Sequence, residues 1–137
     1  NNFTGPLPTE IFRLTKLQIL KLDHELLPSM PTEMDLLTDL SDLSIVGQPH
    51  TSSGSAFPAD LFNQSTPVTN LELTGQSLVG TIPSLIGTLT ELQILILSNN
   101  KLSGTIPSQL GSCTNLAQID LADNSLSGPL PTELGRI

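Results

Sequence analysis

The chain has 137 residues, no tryptophan or tyrosine and only four phenylalanines, so leucine and isoleucine must supply most of its buried surface. That length fits one ordinary domain, and a core made of one kind of side chain favours many similar packing sites over a single irregular one. Thirteen acidic against five basic residues give a net charge of −8, which argues against nucleic acid or an anionic membrane surface as a partner.

A repeat marked by proline runs along the whole chain. Prolines that follow an apolar residue recur at intervals of 23, 27, 25, 24 and 24 residues, at Pro8, Pro31, Pro58, Pro83, Pro107 and Pro131. Four of them have a glycine three residues upstream, at Gly5, Gly80, Gly104 and Gly128. Self-similarity at such a period is typical of a solenoid, in which each unit packs on its neighbours.

The segment after each proline has helical spacing. In the first unit Ile11, Leu14 and Leu17 are separated by three residues, which predicts a short helix or 3₁₀ segment. The preceding prolines fit the first turn of a helix, where a missing N–H costs nothing. Glycines that follow, at Gly87, Gly111 and Gly135, fit the residue that ends a helix.

A pair of apolar residues then alternates with outward positions, which predicts a short strand with one buried face. The five pairs are Leu20 and Leu22, Leu43 and Ile45, Leu71 and Leu73, Leu95 and Leu97, and Ile119 and Leu121. Stacked in series, these strands form a parallel sheet with right-handed crossovers. One unit alone cannot bury its leucines, whereas five units can.

An asparagine follows the second strand leucine by three residues in two units, at Asn100 and Asn124. An amide both donates and accepts, so stacked asparagines can satisfy backbone groups where the chain leaves the strand. The middle units have Glu25, Gln48 and Gln76 in this column. Glutamine can imitate asparagine with a longer reach, whereas an ionised Glu25 can only accept.

The first half of the chain is less regular than the second. The unit at Leu27–Pro31 lacks the glycine, and residues 47–55 hold about three more residues than the neighbouring repeats, in a Gly-, Ser- and Pro-rich stretch typical of a flexible loop. Both ends of the chain cut through a repeat. We therefore expect residues 1–137 to form one domain of about five to six repeats taken from a longer array.

These columns resemble the plant-type leucine-rich repeat, L-x-x-L-x-x-L-x-L-x-x-N-x-L-x-G-x-I-P. The match is best at Leu89–Pro107 and nearly as good at Cys113–Pro131. The resemblance implies a right-handed α/β solenoid with a parallel sheet on the concave face and short helical or 3₁₀ segments on the convex side. It also implies a protein or peptide ligand on the concave face, and a place on the extracellular face of the plasma membrane or in the secreted state, although the residues themselves leave a cytoplasmic location open.

Alternation predicts which side chains line that face. Ile94 and Ile96 point outward from one strand and suggest an apolar contact centre, or simply β-branched residues suited to a strand. Asp42, Glu72, Asp120 and Asp123 make the face acidic, which suits a basic partner or a solvated surface. The predicted partner-binding residues are Ile94, Ile96, Glu72, Asp120, Thr74, Ser98, Lys21 and Asn70, with His50 and Gln48 as loop candidates.

No residue set predicts catalysis, a cofactor or a metal. There is no nucleophile–base pair and no phosphate-binding glycine loop, so a kinase domain would have to lie elsewhere in the parent protein. Asp23, His24 and Glu25 are consecutive and would point in opposite directions, which disfavours a metal site. Cys113 occupies a leucine column, which predicts a buried, inert thiol.

The sequence therefore predicts a protein- or peptide-binding segment from the ectodomain of a receptor-like protein or receptor-like kinase. Two alternatives stay open. One is a secreted repeat protein that inhibits a hydrolase, and the other is a structural spacer within a longer array. No stretch approaches the ~20 apolar residues of a membrane-spanning helix, and the parent protein could still be anchored in a membrane.

Overall fold

The computed structural model describes residues 7–23, 32–47, 54–57 and 67–137 of the chain. Five parallel strands form the larger sheet in the order β1-β2-β3-β5-β7. Their bounds are Ile19–Asp23 for β1, Asp42–Val46 for β2, Asn70–Glu72 for β3, Ile94–Ile96 for β5 and Gln118–Asp120 for β7. All five predicted strands are present, and neighbouring strands of the sheet come from successive repeats, as a solenoid requires.

The predicted columns align in the sheet. Leu20 pairs in register with Leu43, which pairs with Leu71, Leu95 and Ile119 in turn. The first four are buried, and the rows next to them, such as Leu73 and Leu97, are buried as well. Ile119 lies on the last strand and is 40% exposed. The core is thus a stack of equivalent leucine layers, and each layer depends on the repeat beside it.

A second, three-stranded parallel sheet was not predicted. Its strands are β4 (Val79–Thr81), β6 (Lys101–Gly104) and β8 (Ser125–Leu126), in the order β4-β6-β8. Strands of two to four residues are too short for a visible alternation of apolar and polar residues. Gly80, Gly104 and Gly128 in or next to these strands have φ of +88°, +75° and +80°, a conformation that favours glycine.

The predicted helices are short 3₁₀ segments. Their bounds are Thr9–Arg13, Thr32–Leu36, Ser84–Thr88, Ser108–Ser112 and Thr132–Arg136. Before four of these segments the N-cap is a proline, and its carbonyl accepts the first hydrogen bond, as in the bond from the Ile86 amide to Pro83. No helix in the described ranges is long and apolar enough to cross a bilayer.

The prediction that glycine ends these segments is wrong. Gly87 and Gly111 lie inside their 3₁₀ segments, with no positive φ, and the segments continue past them. A Cβ on Gly87 would lie 2.4 Å from the carbonyl oxygen of Gln109 in the next repeat, and one on Gly111 would lie 2.6 Å from that of Glu133. These glycines allow adjacent repeats to approach each other.

The predicted asparagine ladder is confirmed. Asn100 is buried; its Nδ2 donates to the carbonyls of Leu73, Leu97 and Ser98, and its Oδ1 accepts from the Leu78 amide. Asn124 repeats this arrangement one unit later. Gln76 is also buried, and its Nε2 donates to the Thr74 carbonyl at 3.3 Å. Glu25 lies outside the described residues.

Candidate partner-binding face

The candidate site is the outward side of the larger sheet, which we call the strand face. It consists of the side chains that alternate with the buried leucines on β1, β2, β3, β5 and β7. Of its described positions, Ile19, Lys21 and Gln118 are exposed, Asp42, Asn70, Glu72, Ile94, Ile96 and Asp120 are half-buried, and Ser44 is buried. The predicted alternation therefore places these residues on one surface, with the register set by backbone pairing between strands.

Side-chain contacts connect the strand face across β1, β2 and β3. Lys21 Nζ lies 2.8 Å from Asp42 Oδ2, and Asn70 Nδ2 donates to Asp42 Oδ1 at 2.8 Å. One row further along, Ser44 Oγ donates to Glu72 Oε2 at 2.7 Å. Polar groups in this part of the face therefore bind one another. Alternation predicts that Asp42 and Ser44 lie on the strand face. They were not among the predicted partner-binding residues, because their side-chain contacts follow only from the register between strands.

The outward side chains of β5 are apolar, whereas those of β3 and β7 on either side are polar or charged. Ile94 lies between Asn70 and Gln118 in the sheet register, and Ile96 lies between Glu72 and Asp120. Both isoleucines are half-buried, so part of each residue stays accessible to solvent. Because they are two residues apart on one strand, they point to the same side and form an apolar step between the polar side chains of β3 and β7.

Other predicted site residues contribute less surface. Ser98 is buried at 6% exposure. Thr74 is half-buried, and its Oγ1 is a buried atom without a hydrogen-bond partner within the described ranges. Asn70 Oδ1 is likewise a buried atom without a hydrogen-bond partner within the described ranges. The two loop candidates, Gln48 and His50, lie outside the described residues.

Among the described residues, one acidic side chain of the strand face has a basic partner and two others do not. Lys21 forms an ion pair with Asp42. Glu72 and Asp120 have no lysine or arginine partner among the residues described, where the ion pairs are Lys21–Asp42 and Lys16–Asp39. Two carboxylates on either side of the apolar step therefore lack a basic partner within the described residues, in a chain that is acidic as a whole.

A groove of about 700 Å³ lies away from the strand face, along the connections from the second sheet to the 3₁₀ segments. Three equivalent stretches line it, Thr81–Ser84, Thr105–Gln109 and Pro129–Glu133, with Pro83 as the one member that does not contribute. Its walls are short hydroxyl side chains, prolines and a few aliphatics, and Glu133 is the one charged residue among them. The groove is open and follows the repeat.

Cys113 is buried, as predicted, and its thiol contacts the Ile86 carbonyl at 3.4 Å. Burial raises the pKa of this thiol. In the ranges that the structure describes, no three His, Cys, Asp or Glu side chains come together in a way that could hold a metal ion. The run Asp23, His24 and Glu25 extends beyond those ranges.

Comparison with known proteins agrees with the repeat. A family model for Leucine Rich repeats (2 copies) matches residues 90–132. The ectodomain of the plant membrane receptor kinase GASSHO1/SCHENGEN3 from Arabidopsis thaliana superposes with a TM-score of 0.87 and 32% identity over 96% of this chain. The repeats of this chain are therefore leucine-rich repeats of the plant type. A sequence search of curated proteins gives no match.

Other solved structures are similar to the same degree. The Arabidopsis receptor kinase HAESA, solved with the peptide hormone IDA and the co-receptor SERK1, has a TM-score of 0.84 and 32% identity over 96% of the chain. A plant ice-binding protein has a TM-score of 0.83 and 29% identity over 97%. The chain spans 16% of the GASSHO1/SCHENGEN3 structure, 22% of HAESA and 42% of the ice-binding protein.

Proposed function

We propose that this leucine-rich-repeat segment binds a protein or peptide through the strand face, as part of a receptor-like ectodomain. Two of the similar structures are ectodomains of plant receptor kinases that were solved with a bound factor or peptide hormone, which supports this class of function. We further propose a location on the extracellular face of the plasma membrane or in the secreted state. A kinase domain would belong to another part of the parent protein.

Fold similarity alone does not select this function, because the same solenoid occurs in a plant ice-binding protein. The observation that carries the proposal is the apolar step of Ile94 and Ile96. Every neighbour of these side chains in the sheet register is polar or charged. Clustered apolar side chains within a polar surface mark sites where a partner removes them from water.

The test is panning of a random peptide display library on the intact 137-residue chain, followed by titration of the enriched peptides. We expect Ile94→Asp/Ile96→Asp to weaken binding by about thirtyfold to a thousandfold, because two central contacts typically contribute about 1–2 kcal/mol each. The matched control is Leu130→Asp, which places the same charge on a side chain that is 73% exposed and far from the strand face. That variant should bind as the unchanged chain does, and circular dichroism checks that all variants fold.

The alternatives give different results. A hydrolase inhibitor would reduce the activity of purified cell-wall glycosidases, and the same isoleucine variant would relieve the inhibition if the strand face were responsible. A spacer would yield no peptide that distinguishes the isoleucine variant from the control. Deleting one regular repeat, Leu92 to Asn115, would leave a spacer's parent protein with unaltered partner affinity, whereas the proposed site would lose Ile94 and Ile96.

A further inference from the structure

A pair of uncompensated carboxylates frames the apolar step on the strand face. Glu72, Ile96 and Asp120 align in one row across β3, β5 and β7. Neighbouring strands lie about 4.8 Å apart, so the two acidic positions are separated by about 10 Å with the isoleucine midway. The register alone creates this acid–apolar–acid row, since the three residues are 24 apart in the sequence.

The two carboxylates differ from their neighbour Asp42. Asp42 receives both the Lys21 ammonium and the Asn70 amide, so its charge and its lone pairs are already engaged. Glu72 accepts one hydrogen bond from Ser44 through Oε2, and Asp120 accepts one from the Ala122 amide through Oδ1. No cation in the described ranges pairs with either carboxylate.

Those single hydrogen bonds orient each carboxylate and leave its second oxygen without a donor in the described part of the chain. A partner that supplies a cationic donor therefore meets a group that is already positioned, which lowers the entropy cost of binding. Arginine suits such a group because its guanidinium can engage a carboxylate through two parallel N–H donors.

We infer that the strand face recognises an extended peptide segment in which one aliphatic side chain is flanked by two basic residues, in the pattern basic-x-aliphatic-x-basic. In an extended chain, side chains on one side repeat every ~6.6 Å, so the two basic residues start about 13 Å apart. Long, flexible basic side chains lean inward to meet carboxylates about 10 Å apart. The aliphatic residue then covers Ile96 and Ile94. This inference rests on the proposed function and adds the chemistry of the partner.

The probe is the set of peptides enriched by panning on the intact chain, together with one designed peptide in which arginine, leucine and arginine occupy alternate positions. A second designed peptide replaces both arginines with glutamate. The protein variant is Glu72→Gln/Asp120→Asn, whose amide oxygens can still accept from Ser44 and the Ala122 amide. The matched control is Glu91→Gln/Glu133→Gln, which removes the same two charges away from the strand face.

We expect enriched peptides to carry the basic-x-aliphatic-x-basic pattern and to bind the Glu72→Gln/Asp120→Asn variant at least about tenfold more weakly than the control variant. Raising the salt concentration should weaken binding to the unchanged chain and affect the variant much less, since screening acts on the charge pairs. The glutamate peptide should not bind measurably.

Enriched peptides without the basic residues, or equal affinity of the two charge variants, would overturn this inference. If those same peptides still fail to bind Ile94→Asp/Ile96→Asp, the proposed function stands and the partner's chemistry is different. A library that yields no peptide dependent on the isoleucines overturns both proposals.

Discussion

The two halves of the described chain end their strands differently. From Leu71 onward, each strand of the larger sheet is three residues long and is followed by a residue with positive φ, namely Gly75, Asn99 or Asp123. In the first half, β1 and β2 are five residues long, and Gly47 after β2 has no positive φ. In the regular half the chain therefore leaves the larger sheet after three residues of each strand. In the first half, β1 and β2 continue to pair with each other over five residues.

Two kinds of polar contact connect adjacent repeats in the described chain. In the regular half, Asn100 and Asn124 bind backbone carbonyls and amides beneath the sheet edge. Across β1, β2 and β3, side chains on the strand face connect adjacent strands, as in Lys21 with Asp42 and Ser44 with Glu72. The described residues thus connect neighbouring repeats in two ways, by side-chain amides that bind the backbone and by cross-strand side-chain pairs on the surface.

The largest expected effect concerns the amide ladder. Asn100→Ala should lower the free energy of unfolding by about 3 kcal/mol, because three carbonyls and one amide lose their partner and several of these groups are buried. Asn124→Ala removes the same type of contacts where water has better access and should cost about 1–2 kcal/mol. Urea unfolding measures both. Equal losses would mean that burial does not determine the strength of the ladder.

A smaller effect is expected where the 3₁₀ segments pack. Gly87→Ala places a Cβ against the backbone of Gln109 and should destabilise the chain by about 2 kcal/mol, since the repeats must move apart. Gly135→Ala is the control, because a Cβ there meets nothing within 4 Å. Thermal unfolding should separate the two variants clearly. Similar melting temperatures would contradict the packing role of Gly87.

Titration of the buried Cys113 thiol is expected to make the stability of the folded chain depend on pH. Because burial raises the pKa of this thiol above its usual 9.0, the folded chain holds the proton more tightly than the unfolded chain does. Stability contributed by the neutral thiol is full below pH 9.0 and falls as the pH rises through the folded-state pKa, by at most about 1.4 kcal/mol per pH unit. Cys113→Ala should lose this component of the alkaline decline. Rapid thiol labelling of the native chain at pH 8 would contradict the burial.

The smallest effect is expected on the strand face of the first half. Lys21→Met removes an ion pair whose lysine side chain is 53% exposed, so solvent screening limits its contribution to roughly 0.5 kcal/mol. The loss should shrink further in 0.5 M salt when urea unfolding is repeated. A loss above that of Asn124→Ala would show that the first half depends on its surface pairs as strongly as the second half depends on its amides.

Much of the fold could be predicted from local patterns. The period of the prolines, the L-x-L pairs and the asparagine column specify the larger sheet, its buried leucines and the amide ladder, because each of these features repeats within one unit. The outward alternation also placed Ile94, Ile96, Glu72 and Asp120 on one face. Those positions follow from the two-residue period of a strand, which needs no knowledge of the neighbouring repeat.

Only the tertiary structure decided what happens between repeats. The second sheet, the approach of Gly87 to Gln109, the pairing of Lys21 with Asp42 and the row of Glu72, Ile96 and Asp120 all depend on how far one repeat is shifted against the next. A linear sequence specifies which side of a strand a residue occupies. It does not specify the register between strands, since that is set by backbone pairing and packing summed over the whole stack.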